Sequence, residues 1–374
     1  MTERLSTLLA EETVHLDIPA PDAAGVLAQG RRLHRRRRTT TAVAGSLAVA
    51  VVVAGALALG GPGVDDSARV VPVDEPAPYA DGGAFAVGTD VYFGDGDAPI
   101  TDVGEPVKAL YYTSAGVVVR TGDEAATDSA GSSHYRLVTG AGQSRDLGID
   151  LGDRVPGTDP EQPLLAWAEQ AGGGWDVVVL DVRDGSEVAR VPVPDSFTWG
   201  GWEGPPVALS GDFVHVGVDD ATIDVQWRTG EAHPSVTLPR STMPSVNGGR
   251  AVVEDRGTDE VTVVDVRSGE VLMSLPRDRS PMVSLSPDGR YAKVMFFGRA
   301  MSTQETFTVR EVGTDRETKV AGAGWDYGWT ADGHLMTVGD DEVTVCPPLG
   351  GDCTSTPVDV GKAEVRMAGL SYES

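Results

Sequence analysis

From about residue 81 to the C-terminus, apolar and polar positions alternate in short runs, and Gly, Asp and Pro punctuate them. A period of two marks half-buried β-strands, and no helical periodicity competes with it. Two kinds of run recur. One is a hairpin turning on Gly185, Gly230 and Gly269, which are spaced 45 and 39 residues apart. The other precedes such hairpins and turns on Asp288-Gly289 and Asp332-Gly333, 44 residues apart. An Asp-Gly dipeptide between alternating runs is a strong hairpin signal. A repeat of roughly 40–45 residues holding four short strands has the period of a β-propeller blade.

The pattern before residue 81 is different. Residues 3–15 place Leu5, Leu8, Leu9 and Val14 roughly on one side of a short helix, which Pro19 and Pro21 end. Thr39 to Val64 carries no charge, and its centre, 41–59, is apolar enough to span a bilayer. Arg31, Arg32, Arg35, Arg36, Arg37 and Arg38 stand just before it, which orients the N-terminus to the cytoplasm. A signal peptide cleaved after Ala56-Leu57-Ala58 competes with this reading. A preceding polar region of 38 residues argues against it. The expected layout is a cytoplasmic tail over 1–38, a transmembrane helix over 39–60, a proline-bearing linker over 61–80, and a propeller over 81–374.

Blades are expected over 106–149, 150–194, 195–239, 240–276, 277–322 and 323–360. Strands near 84–93 and 363–370 are left over, and their pairing would build a seventh blade from both ends of the chain. Such closure covers the edges of an open array. Seven blades are favoured, with six and eight as the alternatives.

Ser286-Pro-Asp-Gly-Arg290 resembles the turn of WD40-like and TolB-like propellers, and Asp265-Val-Arg-Ser-Gly269 resembles their outer hairpin. This resemblance covers most of 81–374 and implies an all-β propeller. No blade carries a Gly-His…Trp-Asp pair, so the chain departs from the strict WD40 repeat. The tail, with Leu8-Leu-Ala-Glu-Glu12, Pro19-Ala-Pro21 and the 30–38 Arg run, resembles actinobacterial single-pass membrane proteins, some of which accompany extracytoplasmic-function sigma factors. It implies a tail able to report to a cytoplasmic partner.

Composition sharpens the address. Only Lys108, Lys293, Lys319 and Lys362 are lysines among 30 basic residues, an Arg bias expected of a GC-rich bacterial genome. The net charge is −26, and residues 39–374 carry 23 basic against 51 acidic residues. A domain that acidic lacks the basic footprint needed to grip nucleic acid. Two Cys exclude a disulfide-dense scaffold and an all-cysteine zinc site. Cys346 and Cys353 flank Pro347-Pro348 and Gly350-Gly351, a turn that would bring the thiols together in an oxidising compartment.

Catalytic signatures are absent from the linear sequence. His15, His34, His134, His215, His233 and His334 lack metal-ligand spacing, and no nucleophile elbow or phosphate-binding loop appears. No cofactor is implied. The remaining candidates are aromatic. Trp199 and Trp202, and then Trp325, Tyr327 and Trp329, fall where the innermost strand of a blade should begin. There they either line the channel mouth, to stack on a glycan or peptide, or pack between blades. The expected function is a membrane-anchored extracytoplasmic binding or scaffold module. The rival is a propeller hydrolase or lyase with its site at the channel mouth.

Overall fold

The computed structural model describes residues 83–94, 99–122, 133–198, 203–239, 244–254, 259–296, 306–360 and 364–369. The tail expected over 1–38 with its Arg cluster, the span expected over 39–60, the linker expected over 61–80, Trp199 and Trp202 lie outside the described residues. Among the described residues, no helix is long and apolar enough to cross a membrane.

The described chain forms seven four-stranded antiparallel sheets, the blades of a β-propeller. Blade 1 contains β1 (Ala84–Val87), β2 (Asp90–Phe93) and β3 (Thr101–Asp102). Blade 2 runs through β4 (Val107–Thr113), β5 (Gly116–Thr121), β6 (His134–Val138) and β7 (Ser144–Asp150). Blade 3 follows with β8 (Gly157–Thr158), β9 (Leu164–Ala171), β10 (Gly174–Asp181) and β11 (Ser186–Val193). Blade 4 has β12 (Val207–Ser210), β13 (Phe213–Gly217), β14 (Thr222–Gln226) and β15 (Glu231–Pro234). Blade 5 has β16 (Ser245–Asn247), β17 (Arg250–Val253), β18 (Glu260–Asp265) and β19 (Val271–Pro276). Blade 6 has β20 (Pro281–Leu285), β21 (Tyr291–Phe296), β22 (Thr306–Glu311) and β23 (Glu317–Ala321). Blade 7 has β24 (Gly328–Trp329), β25 (Leu335–Val338), β26 (Glu342–Cys346) and β27 (Thr354–Pro357). Finally β28 (Val365–Met367) returns to blade 1 as its innermost strand.

Alternation along each strand explains how the blades pack. Val177 and Val179 of β10 face blade 4, while Val178 and Leu180 face blade 3's other neighbour, blade 2. Inner strands such as β10 therefore feed two apolar layers, and every junction between neighbouring blades has one. Fully burying one such side chain is worth about 1.5–3 kcal/mol. The innermost strands β28, β4, β8, β12, β16 and β20 contact one another in succession around the axis.

The ring is closed by both ends of the described chain. Phe85 pairs with Met367, Ala86 with Arg366 and Val87 with Val365. The Tyr112 hydroxyl reinforces the seam: it accepts from the Ala84 amide at 3.0 Å and donates to the Trp329 carbonyl at 3.0 Å. One detail differs from the sequence expectation. Residues 84–93 are not one strand awaiting a partner but a hairpin, with Ala84 opposite Phe93. Gly88 turns it at φ +63°, a conformation that costs glycine little. The recurrent Asp-Gly turns are built alike. Ser286 Oγ donates to Asp288 and accepts from the Tyr291 amide at 3.0 Å. Thr330 Oγ1 donates to Asp332 and accepts from the His334 amide at 2.9 Å. Cys346 and Cys353 lie at disulfide distance across the outer hairpin of blade 7, with Cα atoms 4.2 Å apart.

Candidate functional site

Antiparallel order puts the connection between the second and third strands of a blade on the same rim as the connection to the next blade. Backbone bonds link such segments: the Asp219 amide donates to Ser196, and the Arg277 amide to Asp259. Two clusters on this rim hold side chains with chemistry to offer.

The first lies between blades 6 and 7. Lys293 sits in β21 between Ala292 and Val294, which face blade 5's layer, so its own side chain faces blade 7. It is 2% exposed. Its ammonium donates to the Gly324 carbonyl at 2.8 Å and to the Tyr327 carbonyl at 2.5 Å. These two carbonyls bracket a single 3₁₀ turn, Gly324–Asp326. Burial pushes the lysine down to about 8. The turn is held further by Tyr327, whose hydroxyl donates to Ala321 at 2.9 Å and whose ring lies 5.1 Å from Phe307. At the tip of this clamped turn, Trp325 is 46% exposed.

The second cluster lies on blade 2. Arg120 of β5 is also 2% exposed and faces blade 3. It donates to Ser133 Oγ at 3.1 Å and to the Gly152 carbonyl at 3.1 Å, with the Asp153 carboxylate 3.7 Å away. Asp150 accepts from the Gly152 and Ser133 amides, and those bonds hold its carboxyl below the usual range. Nearer solvent, Glu105 Oε2 accepts from Thr121 Oγ1 at 2.8 Å and stands 2.9 Å from His134 Nδ1. That hydrogen bond raises the imidazole's pKa and lowers the carboxyl's. Both groups are part-exposed, so the pair can exchange a proton with a bound molecule.

The aromatic candidates separate. Trp325 reaches solvent, Tyr327 is half-buried, and Trp329 is fully buried against Met295, Phe307 and Leu335. Trp329 is thus part of the layer between blades 6 and 7. His215, another histidine of the sequence, is buried and bonds Asp224 across β13 and β14 at 2.7 Å. Among the described residues, no group of three or more His, Cys, Asp or Glu is placed to hold a metal ion. Lys293 and Arg120 escaped the sequence reading, although each offered a signal: a charged residue inside an otherwise apolar run.

No protein-family model matches the chain, and no curated protein matches it. Solved structures do resemble it. The periplasmic gluconolactonase of Pseudomonas aeruginosa aligns at 16% identity and a TM-score of 0.42, over 77% of this chain and 99% of that one. TolB from Acinetobacter baumannii aligns at 12% identity and a TM-score of 0.38, over 76% of this chain and 65% of that one. A functionally unknown protein from Desulfotomaculum acetoxidans aligns at 11% identity and a TM-score of 0.45, over 77% and 99%.

Proposed function

We propose that this protein is a membrane-anchored binding module of an actinobacterial cell envelope. Its tail, 1–38, lies in the cytoplasm, and its propeller stands outside. The Arg cluster ahead of the uncharged stretch supports the orientation. The observation that carries the binding reading is the Trp325 turn. An indole 46% exposed at the rim is held from behind by a buried lysine that bonds both ends of its turn. A rigid, exposed aromatic is the residue type that anchors interfaces, because it loses little freedom on binding. The extracytoplasmic partner is a protein, peptide or glycan, and the tail relays occupancy to a cytoplasmic partner.

Protease added to spheroplasts should remove the C-terminal domain and spare a tag at residue 1. A mature protein beginning near Leu59 would overturn the anchor. Cross-linking in cells should yield a partner with wild type that Trp325→Ala loses. Equal recovery by both would overturn the assignment of the rim turn.

A second reading has one observation in its favour, the Glu105–His134 pair at 2.9 Å. A carboxylate-oriented imidazole is a general base, as a propeller hydrolase or lyase would require. Turnover of any ester, lactone or glycoside that is lost in His134→Asn would favour this reading over the first.

A further inference from the structure

We propose that Asn247 is a self-modification site: in the folded protein the Asn247–Gly248 turn converts through a cyclic imide to aspartate and isoaspartate, and the junction between blades 5 and 6 loosens as it does. The inference stands apart from the binding and catalytic readings above, which concern the other rim.

Asn247 is the chain's one asparagine, and glycine follows it. It ends β16 opposite Arg250 of β17, and Gly248 and Gly249 turn between them at φ +52° and +72°. Positive φ at both central residues defines a tight hairpin turn that favours glycine. The fold needs each half of the dipeptide. Asn247 Nδ2 donates to the Leu285 carbonyl of blade 6 at 3.3 Å. Any side chain at 248 would run into the Asp288 carbonyl of blade 6, so only glycine lets the two turns meet. The junction therefore fixes a side-chain amide and, next to it, the least hindered backbone nitrogen a chain can offer.

Gly248 is exposed and Asn247 half-buried, so water and base reach the turn. Among the described residues, nothing accepts a hydrogen bond from the Gly248 N–H. Once that group gives its proton to base, the nitrogen attacks Asn247 Cγ. The N–Cγ bond forms, the Cγ–Nδ2 bond breaks, and the leaving amide takes up a proton and departs as ammonia. Water then opens the ring at Cγ to give aspartate, or at the main-chain carbonyl to give isoaspartate. Arg250 is the positioning residue, acting through the Gly248 peptide. Its Nη1 donates to the Gly248 carbonyl at 3.1 Å, which sets a cation beside an amide that must pass through an anion. Asp265, opposite Arg250 on β18, offsets part of that charge. The aspartate product loses the donor to Leu285 and sets a carboxylate against its carbonyl. Isoaspartate adds a carbon to the main chain, which breaks the pairing with Arg250 and moves Gly248 off Asp288.

The test incubates the full-length protein in detergent at mildly alkaline pH. It follows the tryptic peptide that holds Asn247, residues 241–250 in wild type, by mass and by isoaspartyl methyltransferase labelling. Wild type should gain the mass of an amide-to-acid exchange at this peptide while its circular dichroism stays that of the folded protein. Its thermal midpoint should fall as the isoaspartate fraction rises. Asn247→Ser, incubated alike, should take no label at this peptide and keep its starting midpoint. Serine suits the turn, since Ser210 fills the matching place between β12 and β13. Arg250→Gln should convert several-fold more slowly, and Arg250→Lys, which keeps the charge, should recover most of the rate. A folded protein that stays unconverted while a synthetic 241–250 peptide converts overturns the proposal. Product formed with an unchanged midpoint overturns the loosening of the junction. Equal rates in wild type, Arg250→Gln and Arg250→Lys overturn the part given to Arg250 and leave only the reactivity of any Asn-Gly pair. If Arg250→Gln fails to fold, wild type and Asn247→Ser decide alone.

Discussion

Arg120 and Lys293 occupy equivalent places in blades 2 and 6. Each lies on the second strand of its blade, each is 2% exposed, and each ties down carbonyls of the connection to the next blade. Their surroundings differ. Arg120 has a hydroxyl, a carbonyl and the Asp153 carboxylate around a planar fork of donors. Lys293 has two carbonyls and, among the described residues, no carboxylate bonded to it, and burial lowers its pKa to about 8. A neutral amine has two N–H groups, one for each carbonyl, so deprotonation leaves the clamp intact and relieves the cost of a buried charge. Equal burial thus hides two designs: a guanidinium with a carboxylate beside it, and an amine whose charge burial holds near the point of release.

The largest expected effect removes the frame that both junctions share. Deleting residues 362–374 takes away β28 and leaves β1 unpaired on that side. The propeller should lose on the order of 5 kcal/mol and unfold cooperatively, since both neighbouring blades are uncovered. An unchanged thermal midpoint would mean that the strand pair does not hold the ring.

The next prediction tests the paired design. Arg120→Met leaves the Gly152 carbonyl unbonded and Asp153 without its cation, and should cost about 3–5 kcal/mol by urea unfolding. A loss under about 1 kcal/mol would place Arg120 on the same footing as Lys293.

The third tests the unpaired design through pH. The lysine's folded pKa lies below its ordinary 10.5, so the unfolded chain binds more protons between about 8 and 10.5. Stability must then rise with pH across that window, and the burial cost is fully felt below 8. Between pH 7 and 9.5 this group should contribute about 2 kcal/mol of added stability, absent from Lys293→Met. Parallel pH profiles of the two proteins would show that Lys293 does not titrate there.

The smallest effect is the sharpest contrast with Arg120→Met. At pH 7, Lys293→Met orphans two carbonyls but also removes a buried charge, and the two terms oppose each other. The net change should stay within about 1 kcal/mol by urea unfolding. A loss as large as that of Arg120→Met would erase the distinction between the junctions.

Much of this was legible along the chain. Alternation, the Asp-Gly turns and the repeat spacing specified the blades, because a strand's period of two and a tight turn are local properties. The closure followed from a count: strands left over at both ends have backbone groups to satisfy. The tertiary structure decided what the aromatics and the lysine do. Trp325, Tyr327 and Trp329 are spaced by two and fall where the innermost strand of a blade was expected to begin. The 3₁₀ turn over Gly324–Asp326 breaks that period, sending Trp325 to solvent while Trp329 enters the core. The clamp beneath the turn joins Lys293 to carbonyls 31 and 34 residues away. That contact exists only because blade 7 packs against the face of β21 from which Lys293 projects. A sequence reports which residues alternate; which neighbour covers each face is settled when the ring closes.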